Sequence, residues 1–126
     1  MKKLLLISLS FFTLCSFSGI SGLDEVISGL RAGNATQMAK YFDNTVEISL
    51  PARSNTYSKS QAEMVLKDFF KNHTVKSFTV IHSGENKVSQ FCIGNLVTAA
   101  GNFRTTLQMK LKGDKQVLQE IKFEQK

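Results

Sequence analysis

Residues 57–73 read YSKSQAEMVLKDFFKNH. Ala62, Val65, Leu66, Phe69 and Phe70 recur at i, i+3, i+4, i+7 and i+8, the stripe of an amphipathic helix. Lys59, Lys67, Asp68, Lys71 and Asn72 fall mainly on the other side. Two starts compete, because Ser58-x-x-Gln61 and Ser60-x-x-Glu63 both have capping-box spacing. His73 falls just past the helix end, where a cationic or polar residue is ordinary. A helix of this kind must lay its apolar face on a sheet or a second helix, and burying one Phe is worth roughly 2–3 kcal/mol.

Upstream, Ser21 precedes GLDEVISGLRAG (22–33), in which Leu23, Val26, Ile27 and Leu30 form one helical stripe. Asp24 and Glu25 fall in its first turn, Arg31 in its last, and Gly33 where a C-terminal cap belongs. Asn34 opens a second short helix, with Gln37 at capping-box spacing and Met38, Tyr41 and Phe42 facing inward. TVEISL (45–50) alternates and is β-branched, a strand that Pro51 ends, with a short loop leading to the segment 57–73. After His73 the period changes from 3.6 to 2. Strands are predicted in SFTVIHS (77–83), VSQFCIGNLVTAAGNF (88–103), RTTLQMKLK (104–112) and QVLQEIKFEQ (116–125), with turns at GENK (84–87) and GDK (113–115). Thr105, Leu107, Met109 and Leu111 share one face; in the last strand Val117, Ile121 and Phe123 oppose Leu118, Glu120 and Lys122. Gly94 and Gly101 read as bulges that bend long strands. Helices followed by an antiparallel meander make one α+β domain.

The 126 residues suffice for one domain once the N-terminus is set aside. Met1-Lys2-Lys3 is a positive start, Leu4 to Leu14 is mostly apolar, and Ser16, Ser18, Gly19 and Ser21 are small, the order of a secretory signal peptide. Residues 1–21 are therefore assigned to the signal and 22–126 to the domain, with cleavage after Ser18 or Ser21 and a periplasmic or secreted destination. The apolar run is too short to span a bilayer, so no stable membrane span is expected after cleavage; an uncleaved anchor is the other reading. Phe12, Thr13 and Leu14 do not provide the small residue that a lipidated Cys15 would follow, which argues against a lipoprotein. Cys92 alone then remains, so no internal disulfide forms and it reads as a small apolar core residue. The formal charge of +6 falls to +4 without Lys2 and Lys3. The excess is spread out, with only Lys110, Lys112 and Lys115 clustered and no interleaved aromatics, so no nucleic-acid partner is expected. The charge suits solubility or weak contact with anionic surfaces.

This order of elements, with GNATQMAKYFDNTVEISL (33–50) and the capped helix of 57–73, resembles the nuclear-transport-factor-2-like (NTF2-like, cystatin-like) α+β cone. More narrowly, it is similar to a family of small exported proteins, mainly from Bacteroidetes, known only as a domain of unknown function. The resemblance covers residues 22–125. It implies helices packed on a strongly curved sheet, and a cavity between them. It implies no activity, since the fold hosts isomerases, dehydratases, epoxide hydrolases and many non-enzymes.

Enzymes of this fold place Asp with Tyr, Asp with His, or paired Asp around an Arg inside the cone, and acid/base work needs two such groups on one substrate atom. The candidates are Asp24, Tyr41, Asp43, Glu47, Tyr57, His82 and Arg104. Asp43 lies in FDNT, where a turn residue is expected anyway; Glu47 and Arg104 fall on exposed rows, and aromatic packing is the default for Tyr41. His82 shares alternation with Phe78 and Val80, but no acid obviously orients it. His73, His82 and one remaining cysteine offer no metal-ligand spacing, and no cofactor motif is present. The expected ligand-binding set is Phe78, Val80, His82, Phe91, Ile93, Phe103 and Leu107, a polar-poor concave face. It favours non-enzymatic binding of a small apolar ligand or a protein partner, with a homodimer through the sheet in view. The alternatives are an isomerase or dehydratase using His82 with Asp43 or Tyr41, and a structural dimerisation module. On export, the mature N-terminus should be Gly19 or Gly22 by N-terminal sequencing; a protein retaining Met1 would sink the signal-peptide reading.

Overall fold

The computed structural model describes residues 21–126. The leader assigned to 1–21, with Cys15, lies outside the described residues except for Ser21, whose hydroxyl accepts from the Asp24 N–H at 3.2 Å and caps the first helix. The chain runs α1 (Gly22–Ala32), α2 (Ala35–Ala39), β1 (Phe42–Leu50), β2 (Arg53–Ser58), α3 (Lys59–Asn72), β3 (Val75–Glu85), β4 (Ser89–Thr98), β5 (Gly101–Lys112) and β6 (Lys115–Gln125). The predicted caps hold: Gly33 closes α1 at φ 63, and Asn34 Oδ1 accepts from the Gln37 N–H at 3.0 Å. At α3 the competition is settled for Ser58–Gln61, whose side chains bond reciprocally to each other's backbone N–H.

The six strands form one curved sheet in the order β2-β1-β6-β5-β4-β3, with helices on one face: an α+β fold of NTF2-like type. Four of the five pairings are antiparallel; β1 and β6 run parallel, with Ile48 beside Ile121. That contact joins the first strand to the last, and the intervening chain closes over it. The helix-covered face carries Val46 and Ile48, Cys92 and Leu96, Leu107 and Met109, and Leu118, Ile121 and Phe123, all buried. Leu30, Met38, Leu66 and Phe69 fill the space above them.

Several local expectations are corrected. Residues 53–58 are not a loop: they pair with β1 as strand β2 around a tight turn at Pro51-Ala52. The strand is polar and exposed on both sides apart from Tyr57, so it has no hydrophobic alternation to read. The long segment 88–103 is two strands, turned at Ala99-Ala100, with Thr98 Oγ1 donating to the Gly101 carbonyl at 2.7 Å. Gly101 thus serves a turn at φ 135, a conformation L side chains rarely adopt, and not a bulge. Within β6 a register shift beside Gln108/Met109 places Leu118, Ile121 and Phe123 together in the core and leaves Val117 partly exposed.

Gly94 answers to a close approach. A Cβ there would lie 2.5 Å from Phe78 Cζ and 2.6 Å from the Thr79 carbonyl oxygen. Gly94→Ala is therefore expected to lower stability by about 1–3 kcal/mol through overpacking. Urea unfolding checks this, and an unchanged midpoint would contradict the packing described.

Candidate functional site

Helix α3 builds the most apolar cleft described. Its stripe of Ala62, Leu66, Phe69 and Phe70 is buried in the core, leaving Val65 half-buried and Met64 70% exposed at the edge. Phe69 stacks on Phe123 of β6, with centroids 4.1 Å apart and planes at 18°. His73, at the C-terminal cap, stacks on the same Phe69 at 4.3 Å and meets Phe103 edge-on at 5.3 Å. Its Nδ1 lies 2.8 Å from the Phe69 carbonyl; a carbonyl only accepts, so Nδ1 carries the proton and the ring is fixed in place. Opposite, the β1–β2 hairpin contributes Leu50 and Arg53. Between them lies a hollow of about 280 Å³, its apolar wall made by Leu50, Met64, Val65 and Phe69, with Arg53, Asp68 and His73 as its polar groups. That volume is at the lower end for ligand pockets, so it fits a ring-sized group and not a large ligand.

The expected ligand set does not share one face. Phe78, Phe103 and Leu107 are on the helix-covered side and buried in the core. A bulge between Val80 and His82 breaks the alternation of β3. Val80 still pairs with Gly94 and borders a shallow hollow against α1, but His82 pairs with Ile93 on the open face of the sheet. Phe91 and Ile93 lie on that open face too, half-buried, with the His82 ring 5.5 Å from Phe91. The concave interior is thus packed with core side chains.

The catalytic candidates are equally dispersed. His82 is exposed on the edge strand β3, while Asp43 and Tyr41 lie at the start of β1, with β4, β5 and β6 between. Asp43 is buried and fully engaged: Lys112 Nζ donates to Oδ2 at 2.9 Å, Gln119 Nε2 to Oδ2 at 3.0 Å and the Asn44 N–H to Oδ1 at 2.8 Å. Burial pushes its carboxyl up, but the bonds from Gln119, Lys112 and Asn44 and the Lys112 charge outweigh this and hold it below the usual carboxylate range. An acid so held is a structural anion. Glu47 and Arg104 are exposed as expected, the latter 3.9 Å from Glu124. Cys92 is free and fully buried, and burial pushes its thiol up against the opposing charge of Arg31, consistent with an apolar core role. Among the described residues no group of three His, Cys, Asp or Glu side chains is placed to hold a metal ion.

Residues 23–124 match the family described as Domain of unknown function (DUF4783). The chain belongs to the DUF4783 family. It is similar to the crystal structure of a DUF4783 family protein from Bacteroides uniformis, at 34% identity and a TM-score of 0.79 over 82% of this chain and 95% of that one. A second such protein, from Bacteroides ovatus, is 28% identical with a TM-score of 0.78, over 81% and 93% of the two chains. An NTF2-like protein of unknown function from Cytophaga hutchinsonii shares the fold alone, at 12% identity and a TM-score of 0.61 over 86% and 93%. No curated protein matches.

In this DUF4783 domain the cleft residues Leu50, Arg53, Met64 and Asp68 went unnoticed in the sequence, and His73 was read as an ordinary helix end. Met64 was the available signal, a large apolar residue one position off the stripe. The Asp43 anchor has a pH signature. A carboxyl held below its ordinary value of about 3.9 contributes stability above that value and loses it as pH falls through the depressed one. Asp43→Asn should cost about 1–2 kcal/mol at neutral pH, and the deficit should shrink as wild type itself weakens below about pH 4. Urea midpoints at pH 7 and pH 3 test this; a deficit that stays constant would contradict it.

Proposed function

We propose that this DUF4783 domain is an exported, non-catalytic binding module that takes a ring-sized apolar group, offered by a small ligand or by a side chain of a protein partner, in the cleft between α3 and the β1–β2 hairpin. The observation that carries this reading is the wall of that cleft. His73 is locked by stacking on the buried Phe69 and by the 2.8 Å bond to the Phe69 carbonyl, so its imidazole is held ready as an aromatic surface beside an exposed, flexible Met64. Rigid aromatics give contact area at low entropic cost, and a thioether adapts to the shape of the guest. Arg53 and Asp68 at the same hollow supply opposite charges that can orient a polar end. Export is supported by the basic start, apolar run and small residues of the leader.

A structural reading of the open face has its own support. Phe91, Ile93 and Val97 project there, half-buried, in one row along β4, the kind of surface a second copy would cover. The enzyme alternative has no support in the geometry, since His82, Asp43 and Tyr41 do not converge.

Titration of the purified protein with indole, followed by NMR, should give saturable shifts at Val65, Phe69 and His73. Met64→Lys, at an exposed position, should weaken the binding about tenfold, or about 1.4 kcal/mol. Shifts centred elsewhere, or an affinity unchanged in the variant, would overturn the assignment.

A further inference from the structure

A second cleft, lined by different residues, carries an excess of positive charge. The β5–β6 hairpin turns at Gly113-Asp114 and places Lys112 directly opposite Lys115 in the register. Like charges in that arrangement repel and weaken a hairpin. Lys59 is the first residue of α3, and the first turn of that helix carries no acid. A cation there works against the helix dipole, which favours anions at the N-terminus. Lys40 caps the end of α2. These four lysines come from three separate places in the chain and border one hollow of about 490 Å³ with Tyr41. The single acid in its wall is Asp43, and that carboxylate is already occupied by Lys112, Gln119 and the Asn44 N–H. Asp43 thereby holds one ammonium at the rim without neutralising the other three. Among the described residues Lys40, Lys59 and Lys115 make no ion pair. Glu47 and Glu120 line a neighbouring hollow and are not part of this wall, and the Asp114 carboxylate in the hairpin turn is not part of it either.

We infer that this cleft binds a compact, soluble anion of high charge density, of the pyrophosphate or phosphate-ester class, with Lys40, Lys59 and Lys115 as its counter-charges and Lys112, held by Asp43, as a further donor at the rim. Three of the four lysines occupy positions that are electrostatically unfavourable in the free protein, Lys59 at the start of α3 and Lys112 opposite Lys115, and an anion among them relieves both penalties. Lysine supplies point charge with rotatable donors, which suits a phosphate and does not demand the planar geometry of a carboxylate clamp. The hollow is concave and within the range of small-molecule sites, so a discrete anion fits it better than a flat lipid surface.

Isothermal titration of the purified protein with sodium pyrophosphate at low salt should show saturable binding that weakens as salt is added. The double variant Lys59→Gln/Lys115→Gln should weaken it at least tenfold. The matched variant Lys71→Gln/Lys76→Gln removes the same charge at exposed positions outside the cleft and should leave it nearly unchanged. Equal losses in both variants would reduce the effect to net charge and overturn the assignment. So would absence of saturable binding up to about 10 mM, a very weak limit on the affinity scale. A third arm uses vesicles of phosphatidylglycerol in phosphatidylcholine: binding to these without binding to pyrophosphate would also overturn it. Unfolding midpoints of both variants should be no lower than wild type, with that of Lys59→Gln/Lys115→Gln slightly raised as the two penalties are relieved, so that a loss of affinity is not a loss of fold. Because indole and pyrophosphate address different walls, failure of one assignment leaves the other standing.

Discussion

The stack of Phe69 on Phe123 couples the helical layer to the sheet. Phe123 lies on β6, which has β1 on one side and β5 on the other, so a ring pressed on it contacts the centre of the layer. Phe69 reaches that position from the buried stripe of α3, a helix whose first turn is fixed by the reciprocal cap at Ser58. A start two residues later would still leave the stripe intact but would give the first turn different partners. The parallel contact of β1 with β6 brings the two ends of the domain together beneath the same helix. Cap, stack and parallel pair therefore form one cooperative unit, and both clefts are built at its margins.

The elements with periodic burial were legible, and those without it were not. The stripes of α1 and α3 and the alternation of β5 follow from one side facing the core, and that condition writes itself into the order of residues. Strand β2 lacks the condition. It pairs with β1 through the backbone and through exposed polar contacts such as Ser49 with Ser54, and apart from Tyr57 its side chains meet water on both sides, so RSNTYS carries no pattern. The turn at Ala99-Ala100 was hidden because Gly101 looked like a bulge in a continuous run.

The set around His82 shows a different failure. Alternation was extrapolated from Phe78 through Val80 to His82, and one extra residue at Ile81 reverses every side chain after it. Bulges depend on how a strand fits its neighbour, which one strand's residues do not state. The α3 cleft is hidden for the opposite reason: Arg53 comes from a strand without alternation, and Met64 and Asp68 from the helix edge beside the stripe. The charge cluster at Lys110, Lys112 and Lys115 was visible, but Lys40 and Lys59 join it only through the fold, while Lys110 stays outside.

The two outer strands bear on how such a chain behaves at high concentration. Both sheet edges, β2 and β3, offer backbone groups with which another molecule's strand can pair. Strand β2 meets that hazard by being six residues long and almost wholly polar. Strand β3 is eleven residues long and exposes Ile81, but the irregularity beside that residue interrupts the even spacing of donors and acceptors. The displacement that spoiled a tidy pocket around His82 thus keeps the longer edge from serving as a template for aggregation.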